Sequence, residues 1–405
     1  MQIKNVLIVC WDFPPNNGIG GRRWAKIAKQ LVRSGYSVNV ICKQFNQSDA
    51  TSPWLNDVKD LSINIYYLKQ ALLSNWLGST NSFKVHFSKT ILKIFYNGTI
   101  YDKALGIKSD FLKLANGLIE KKKIDTVFVT GAPFNLMYYT ALIKEKFSNL
   151  KVISDYRDPW ITAQNYGMKE LNTKRLDYER MKQNLVIEKS TIISCPNKYL
   201  LDEIRETYTG SKTTYAKFEE LPHFYDNDDK IAQVDSDNND TIRFIYAGTI
   251  YLGCDDHLRK LNEKISNYKE TGGKCNFRFE FYVNEIEKAN IFKSNADVVI
   301  FRKPIGNKIF KEIANAHYVI ILLSEHNKNY LTSKFFEYLP YRKPYFYIGP
   351  EGHVSNTILT EELGVIAESI NNLSELLSRI KEPLSTSVEK HELSIVTNEF
   401  LKRLN

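Results

Sequence analysis

Apolar residues in this chain come in short continuous runs, separated by longer stretches in which they recur every three or four positions. That alternation is the pattern of strands buried on both faces exchanging with amphipathic helices. In the first half the runs predict strands at Val6–Cys10, Ser37–Cys42, Ile63–Leu68, Thr126–Thr130, Val152–Asp155 and Thr191–Cys195. Trp24, Ile27, Ala28, Leu31 and Val32 share one face of a helix that Gly35 stops. A longer helical stretch is expected between Ala71 and Lys123. A polar, acidic segment from Asp226 to Asp240 then interrupts the pattern. The alternation resumes with strands predicted at Ile242–Ala247, Phe277–Val283, Val298–Phe301, Tyr318–Leu323, Pro344–Ile348 and Val365–Ala367, and a helix over Val388–Leu404. Two such blocks around one hinge predict an α/β protein of two doubly wound domains. The expected divisions are 1–225, an acidic linker 226–241, 242–385, and a closing helix within 386–405. No internal repeat of fixed period is visible.

At 405 residues and 43% hydrophobic content, the chain can bury a core in each domain. No apolar run approaches the ~18 residues that span a bilayer, and Met1-Gln2-Ile3-Lys4 leads straight into a strand without a signal-peptide pattern. The five cysteines are odd in number and widely spaced, with no C-x-x-C pair. They read as buried thiols of a cytoplasmic protein, not as a metal cluster. Charge is uneven: residues 1–225 hold 32 Lys and Arg against 20 Asp and Glu, and the remainder 23 against 26. A basic first domain suits an anionic acceptor or an anionic membrane surface, which would make the protein peripheral on the inner face of the membrane. Between Trp76 and Lys123, Trp76, Phe83, Phe87, Phe95, Tyr96, Tyr101 and Phe111 interleave with Lys84, Lys89, Lys93, Lys103, Lys108 and Lys113. This mixture fits a lipid interface, and equally a helical pair with its aromatics turned inward. No nucleic-acid module accompanies the charge, so nucleic acid is not an expected partner.

Candidate chemistry lies where strands end. After the first strand comes Trp11-Asp12-Phe13-Pro14-Pro15-Asn16-Asn17-Gly18-Ile19-Gly20-Gly21-Arg22-Arg23, a glycine-rich loop opening a helix. Such a loop can offer backbone N–H groups to an anion, or simply make a tight turn. It is not the dinucleotide fingerprint, because Arg23 stands where the last glycine is required. Ser154-Asp155-Tyr156-Arg157-Asp158-Pro159-Trp160 ends another strand, with two carboxylates flanking an arginine. They can orient a hydroxyl and accept its proton, or pair with one another structurally. Gly131-Ala132-Pro133-Phe134 and Phe244-Ile245-Tyr246-Ala247-Gly248-Thr249 occupy comparable strand ends. Leu331-Thr332-Ser333-Lys334-Phe335-Phe336-Glu337-Tyr338 reads as a helix opening near Lys334, with Glu337 one turn on. A diphosphate at that tip and a ribose beside Glu337 would fit; so would an ordinary capped helix with solvated charges. The acidic linker fails as a calcium loop, since Asp240 and Tyr246 replace the required Gly and Glu. Thr271-Gly272-Gly273-Lys274-Cys275 lacks the flanking residues of a phosphate-binding Walker loop.

Four of these segments, in this order, resemble the retaining glycosyltransferases of the GT-B fold, family four, and in particular bacterial enzymes that build surface polysaccharides. They are the Phe13 to Arg23 loop, Ser154 to Trp160, Phe244 to Thr249, and Thr332 to Tyr338. The resemblance implies two Rossmann-like domains facing a central cleft, with the C-terminal helix crossing back to the first. It implies transfer of a sugar from a nucleotide-sugar donor, with a UDP-sugar expected, to a saccharide acceptor that can be lipid-linked. Lys334 and its helix start (Thr332, Ser333), with Gly20 and Gly21, would then stabilise the departing diphosphate. Glu337 would hold the ribose, Arg302, Lys303 and Ile305 the nucleobase, and Gly248 and Thr249 would face the diphosphate. Asp155, Arg157 and Asp158 would serve catalysis on the acceptor side. No cofactor and no metal is expected. The chain departs from the family where Asn329 replaces the first of two paired glutamates, and where Thr249 and Cys254-Asp255 replace an Arg and a Lys. Two other functions stay open: a sugar-nucleotide 2-epimerase of the same fold, and a non-catalytic sugar-nucleotide-binding or scaffold protein.

Overall fold

The computed structural model describes residues 4–46, 52–77, 81–95, 102–163, 168, 171–210, 214–230, 241–368, 375, 384 and 388–404. They form two compact units, one of Met1–Pro222 with Thr397–Asn405 and one of His223–Val396. The first is built on β1 (Asn5–Val9), β2 (Ser37–Lys43), β3 (Ile63–Leu68), β4 (Thr126–Gly131), β5 (Lys151–Tyr156), β6 (Ile192–Cys195) and β7 (Lys217–Glu220). They pair in the order β3-β2-β1-β4-β5-β6-β7, every pair parallel. The described helices of this half are α1 (Ile19–Arg33), α2 (Leu72–Trp76), α3 (Ser82–Phe95), α4 (Lys108–Lys122), α5 (Phe134–Lys146), α6 (Thr173–Lys189) and α7 (Lys198–Thr207). Val6 to Val9 and Val127 to Val129 are almost wholly buried, as continuous apolar strands covered on both faces must be.

The second unit repeats the plan. Its strands are β8 (Ile242–Ala247), β9 (Phe277–Tyr282), β10 (Val299–Arg302), β11 (Tyr318–Leu322), β12 (Tyr345–Ile348) and β13 (Gly364–Ile366), in the order β10-β9-β8-β11-β12-β13 and again all parallel. Its described helices are α8 (Asp255–Glu270), α9 (Ile309–Ala314), α10 (Ser333–Tyr338) and α11 (His353–Thr360), and α12 (Leu393–Arg403) is the last described helix of the chain. Successive side chains divide between the faces: Phe244, Phe279, Ile320 and Phe346 enter one core layer, Ile245, Val319, Ile321 and Tyr347 the other. Phe244 anchors the first layer, stacked on Phe279 at 4.5 Å and on Tyr318 at 4.8 Å.

In each sheet the strand order reverses once, between β1 and β4 and between β8 and β11. Open α/β sheets bind ligands at the carboxyl ends of strands at such a reversal. The sequence reading missed β7, whose Lys-Phe-Glu-Glu carries no apolar alternation; as an edge strand it has no need of one. The stretch expected as one long helical segment divides into α2, α3 and α4. In the acidic segment Asn227–Asp229 makes a short 3-10 turn, with Asp226 accepting from the Asp228 N–H at 3.0 Å; positions 231–240 lie outside the described residues. At the other end a 3-10 turn over Glu389–His391 precedes α12. Lys151 donates to the Leu404 carbonyl at 2.7 Å and Arg403 pairs with Glu219 at 2.9 Å, so the end of the chain is fastened to the first unit.

Candidate functional site

In the second unit the carboxyl end of β8 meets the start of α10. The Lys334 Nζ lies so close to Gly248 that a Cβ on that residue would stand 1.8 Å from it. Gly248 also has φ +157°, a backbone conformation that suits glycine. The loop is held from three sides. The Tyr246 hydroxyl donates to the Thr249 carbonyl at 2.6 Å, and the Tyr338 hydroxyl to the Ala247 carbonyl at 3.2 Å. Glu285, just beyond β9, accepts from the Ile250 N–H at 3.2 Å. The ammonium stands 5.9 Å from the centre of the Tyr246 ring, within cation–π range. Burial draws the Lys334 pKa below the usual lysine value, while Glu337 and Glu285 pull it the other way. The outcome is one half-desolvated cation, aimed along a strand end beside a short helix whose first N–H groups have no intrahelical acceptor.

The expected site residues of this unit do not all gather here. Thr332 is the N-cap of α10 without a side-chain cap bond, and Ser333 is its first residue. Glu337 is half-buried one turn beyond, close enough to influence Lys334. Thr249 is exposed, but the Gly248 N–H is used on the Tyr282 carbonyl at 3.2 Å and so is not turned to a ligand. Arg302 is expected beside the nucleobase. Its guanidinium instead leans on Glu280 at 3.6 Å, in a cluster where Arg243 holds the same carboxylate at 2.8 Å. Lys303 and Ile305 are exposed in the loop that follows β10, the edge strand. Asn329, standing where relatives have a glutamate, accepts from the His353 N–H at 3.0 Å and so caps α11.

In the first unit the ends of β4 and β5 and the start of α1 are tied together by Arg157. Its Nε donates to the Gly131 carbonyl and its Nη2 to the Ala132 carbonyl, both at 3.0 Å. The guanidinium covers Gly20, where a Cβ would lie 2.0 Å from Nη1. Gly21 is pressed against the Asp12 carbonyl, at 2.0 Å from an added Cβ, and its own N–H donates to the Gly18 carbonyl at 2.9 Å. These glycines therefore serve close packing, and the expected offer of the Gly21 N–H to a diphosphate does not hold. The paired arginines are also occupied internally. Arg22 stacks on Trp54 at 4.2 Å, and Arg23 donates to the Leu221 and Pro222 carbonyls.

Asp155 differs most from its expected role. It is fully buried and accepts from the Trp24 indole at 2.9 Å and the Ser194 hydroxyl at 3.0 Å, with Arg23 at 3.6 Å. A carboxylate so enclosed fastens α1 to β5 and β6. Asp158, two residues past the strand, is half-buried. Under this loop Trp160 stacks on Phe134 at 4.9 Å and donates to Glu179 at 2.9 Å. Glu179 in turn pairs with the buried Lys182 at 2.8 Å, and Lys182 donates to the Asn135 side-chain Oδ1 at 3.0 Å. Sequence reasoning missed this support and the Tyr246 and Tyr338 clamps. Their only signal is a buried Tyr, Trp or Glu, which must find a partner.

On sequence alone, no family model matches the chain and no curated protein matches it. Solved structures do. A trehalose-6-phosphate protein from E. coli bound with UDP-2-fluoro glucose superposes with a TM-score of 0.60 at 9% identity, covering 99% of each chain. The fold is GT-B. Sucrose-phosphate synthase from Thermosynechococcus elongatus is similar with a TM-score of 0.55 at 10% identity, over 99% of this chain and 94% of that one. UDP-GlcNAc 2-epimerase from Methanocaldococcus jannaschii follows with 0.51 at 10% identity, over 100% and 99%.

Proposed function

We propose that this GT-B protein is a retaining glycosyltransferase, moving a sugar from a nucleotide-sugar donor to a saccharide acceptor. The observation that carries the reading is Lys334, lodged on Gly248 where the second sheet reverses its strand order. Breaking the bond between the anomeric carbon and a diphosphate leaves oxocarbenium character on the sugar and negative charge on the departing oxygen. A preorganised, partly desolvated ammonium is suited to receive that charge. Thr332 and Ser333 open the helix beneath the diphosphate, and Glu337 accepts the ribose hydroxyls. Lys303 and Ile305 flank the base. On the acceptor side Asp158 takes the proton of the attacking hydroxyl, and Arg157 keeps its loop in place. Asp155 acts through Trp24 and Arg23, as a positioning residue. UDP is the preferred nucleotide, because UDP-2-fluoro glucose is bound by the E. coli relative in fold.

The similarity to a 2-epimerase, of nearly the same quality, supports a second reading in which the same site inverts C2 of the donor sugar. One set of incubations separates the two. UDP-sugars are supplied with and without saccharide acceptors, and the products are resolved by chromatography and NMR. Release of UDP that depends on acceptor, with an α-linked product from an α-linked donor, supports transfer. A changed UDP-sugar formed without acceptor supports epimerisation. Failure to bind any nucleotide sugar in a thermal-shift screen of UDP-, GDP-, ADP- and dTDP-sugars sinks both.

A further inference from the structure

The first unit carries an apolar face that its own core does not cover. Along α3, Phe83, Phe87 and Ile94 are 74%, 43% and 65% exposed, while Ser88 and Leu92 on the opposite side are buried. Positions 83, 87, 90 and 94 fall at the i, i+4, i+7, i+11 spacing of one helical stripe. The Phe83 and Phe87 rings stack at 6.2 Å, and Trp76 of α2 meets Phe87 at the same distance. Leu72, at the start of α2, is 62% exposed and extends the apolar surface. The rim is cationic: Lys84 lies beside the stripe, with its Nζ 5.7 Å from the Trp76 ring centre. Charge sets this region apart from the rest of the chain. From Leu61 to Tyr101 the sequence contains no Asp or Glu, but has Lys69, Lys84, Lys89 and Lys93.

We infer that α2 and α3 dock on an anionic lipid bilayer. The apolar stripe enters the boundary between headgroups and acyl chains, and Lys84 on its border faces the headgroup phosphates. A helix with exposed aromatics, a lysine border and no acid is the composition that binds in the plane of an anionic surface. Among the described residues no helix is long and apolar enough to cross a membrane, so the contact is superficial. The phenylalanines enter the interface as large rigid wedges, and the lysines supply a salt-sensitive attraction.

The test is vesicle flotation of the purified chain with phosphatidylcholine alone and with phosphatidylcholine containing phosphatidylglycerol. The wild type should float with the anionic vesicles at low salt and be released when salt shortens the screening length to ~3–4 Å. Phe83→Ser/Phe87→Ser/Ile94→Ser should weaken that binding at least ~10-fold. Phe83→Ser alone, at the most exposed of the three positions, should give a smaller loss and guards against a folding defect in the triple variant. Lys84→Ser and Lys89→Ser should each cost roughly fivefold, on anionic vesicles only. Wild-type protein that ignores anionic vesicles at low salt overturns the proposal, and so does a triple variant that floats like the wild type. If ultracentrifugation instead shows self-association of the wild type, lost in the triple variant and without vesicle binding, a second copy covers the face and the lipid reading is wrong.

Discussion

Replacing Gly248 by Ala perturbs Lys334 without removing it. The new methyl would stand 1.8 Å from the Nζ, whereas ordinary contact begins at 3.4 Å, so the ammonium has to retreat by about 1.6 Å. Because it ends a flexible side chain, the retreat costs little in stability. The backbone at φ +157° adds strain of order 1–3 kcal/mol for a residue with a Cβ. Charge-assisted hydrogen bonds to phosphate close at ~2.7–2.9 Å, and a displacement of this size breaks one. Loss of one preorganised donor typically lowers turnover by ~10²–10³. Gly248→Ala should therefore reproduce most of the defect of Lys334→Ala, although its lysine is intact. The assay is turnover of the best UDP-sugar, with UDP affinity by calorimetry, across wild type, both single variants and the double variant. If the glycine acts by seating the lysine, the double variant is no worse than Lys334→Ala, and the coupling in the cycle equals nearly the whole Gly248→Ala effect. Additive losses, or wild-type turnover in Gly248→Ala, would refute the reasoning.

Burial lowers the Lys334 pKa, so its ammonium loses charge at a lower pH than an ordinary lysine; UDP affinity should fall as pH rises through that lowered value. Calorimetry from neutral to alkaline pH reads the limb, which must be absent in Lys334→Ala. Glu337→Ala should mainly raise the donor Kd while turnover at saturation changes less, and an unchanged Kd would remove the ribose role. Asp155→Asn removes the carboxylate that faces the buried Arg23 at 3.6 Å and should cost about 3–5 kcal/mol of stability in urea unfolding. An unaltered midpoint with lost turnover would instead make Asp155 a participant in the chemistry. If the proposed role of Lys334 on the diphosphate holds, activity should persist in excess EDTA; loss restored by Mn²⁺ or Mg²⁺ would contradict this.

The architecture was legible because both sheets are parallel and covered on each face, which leaves unbroken apolar runs such as Val6–Cys10 and Tyr318–Leu323. β7 left no such trace, since a polar edge strand is stabilised by backbone pairing with β6, not by side-chain burial. At the site, the meeting of Gly248 and Lys334 could be anticipated from strand-end and helix-start residues, both local in sequence. What could not be read was how side chains distant in sequence divide the work among themselves. Arg23, Asp155 and Arg157 have the residue types of an active site, yet the first two neutralise one another inside the core. The third is engaged by the Gly131 and Ala132 carbonyls. Composition does not distinguish a cation reserved for a ligand from one spent on a carbonyl; only the fold does.

The first unit is assembled from two pieces of chain, Met1–Pro222 and the segment from Thr397. During synthesis its seven-stranded sheet emerges early, but the Lys151 and Glu219 partners at Leu404 and Arg403 are translated only after the entire second unit. Domains generally fold in order from the N-terminus as they are made. Here the first to begin is the last to be finished. A nascent chain that stalls in the second unit thus presents an N-terminal unit without the Leu404 and Arg403 contacts that fasten Lys151 and Glu219.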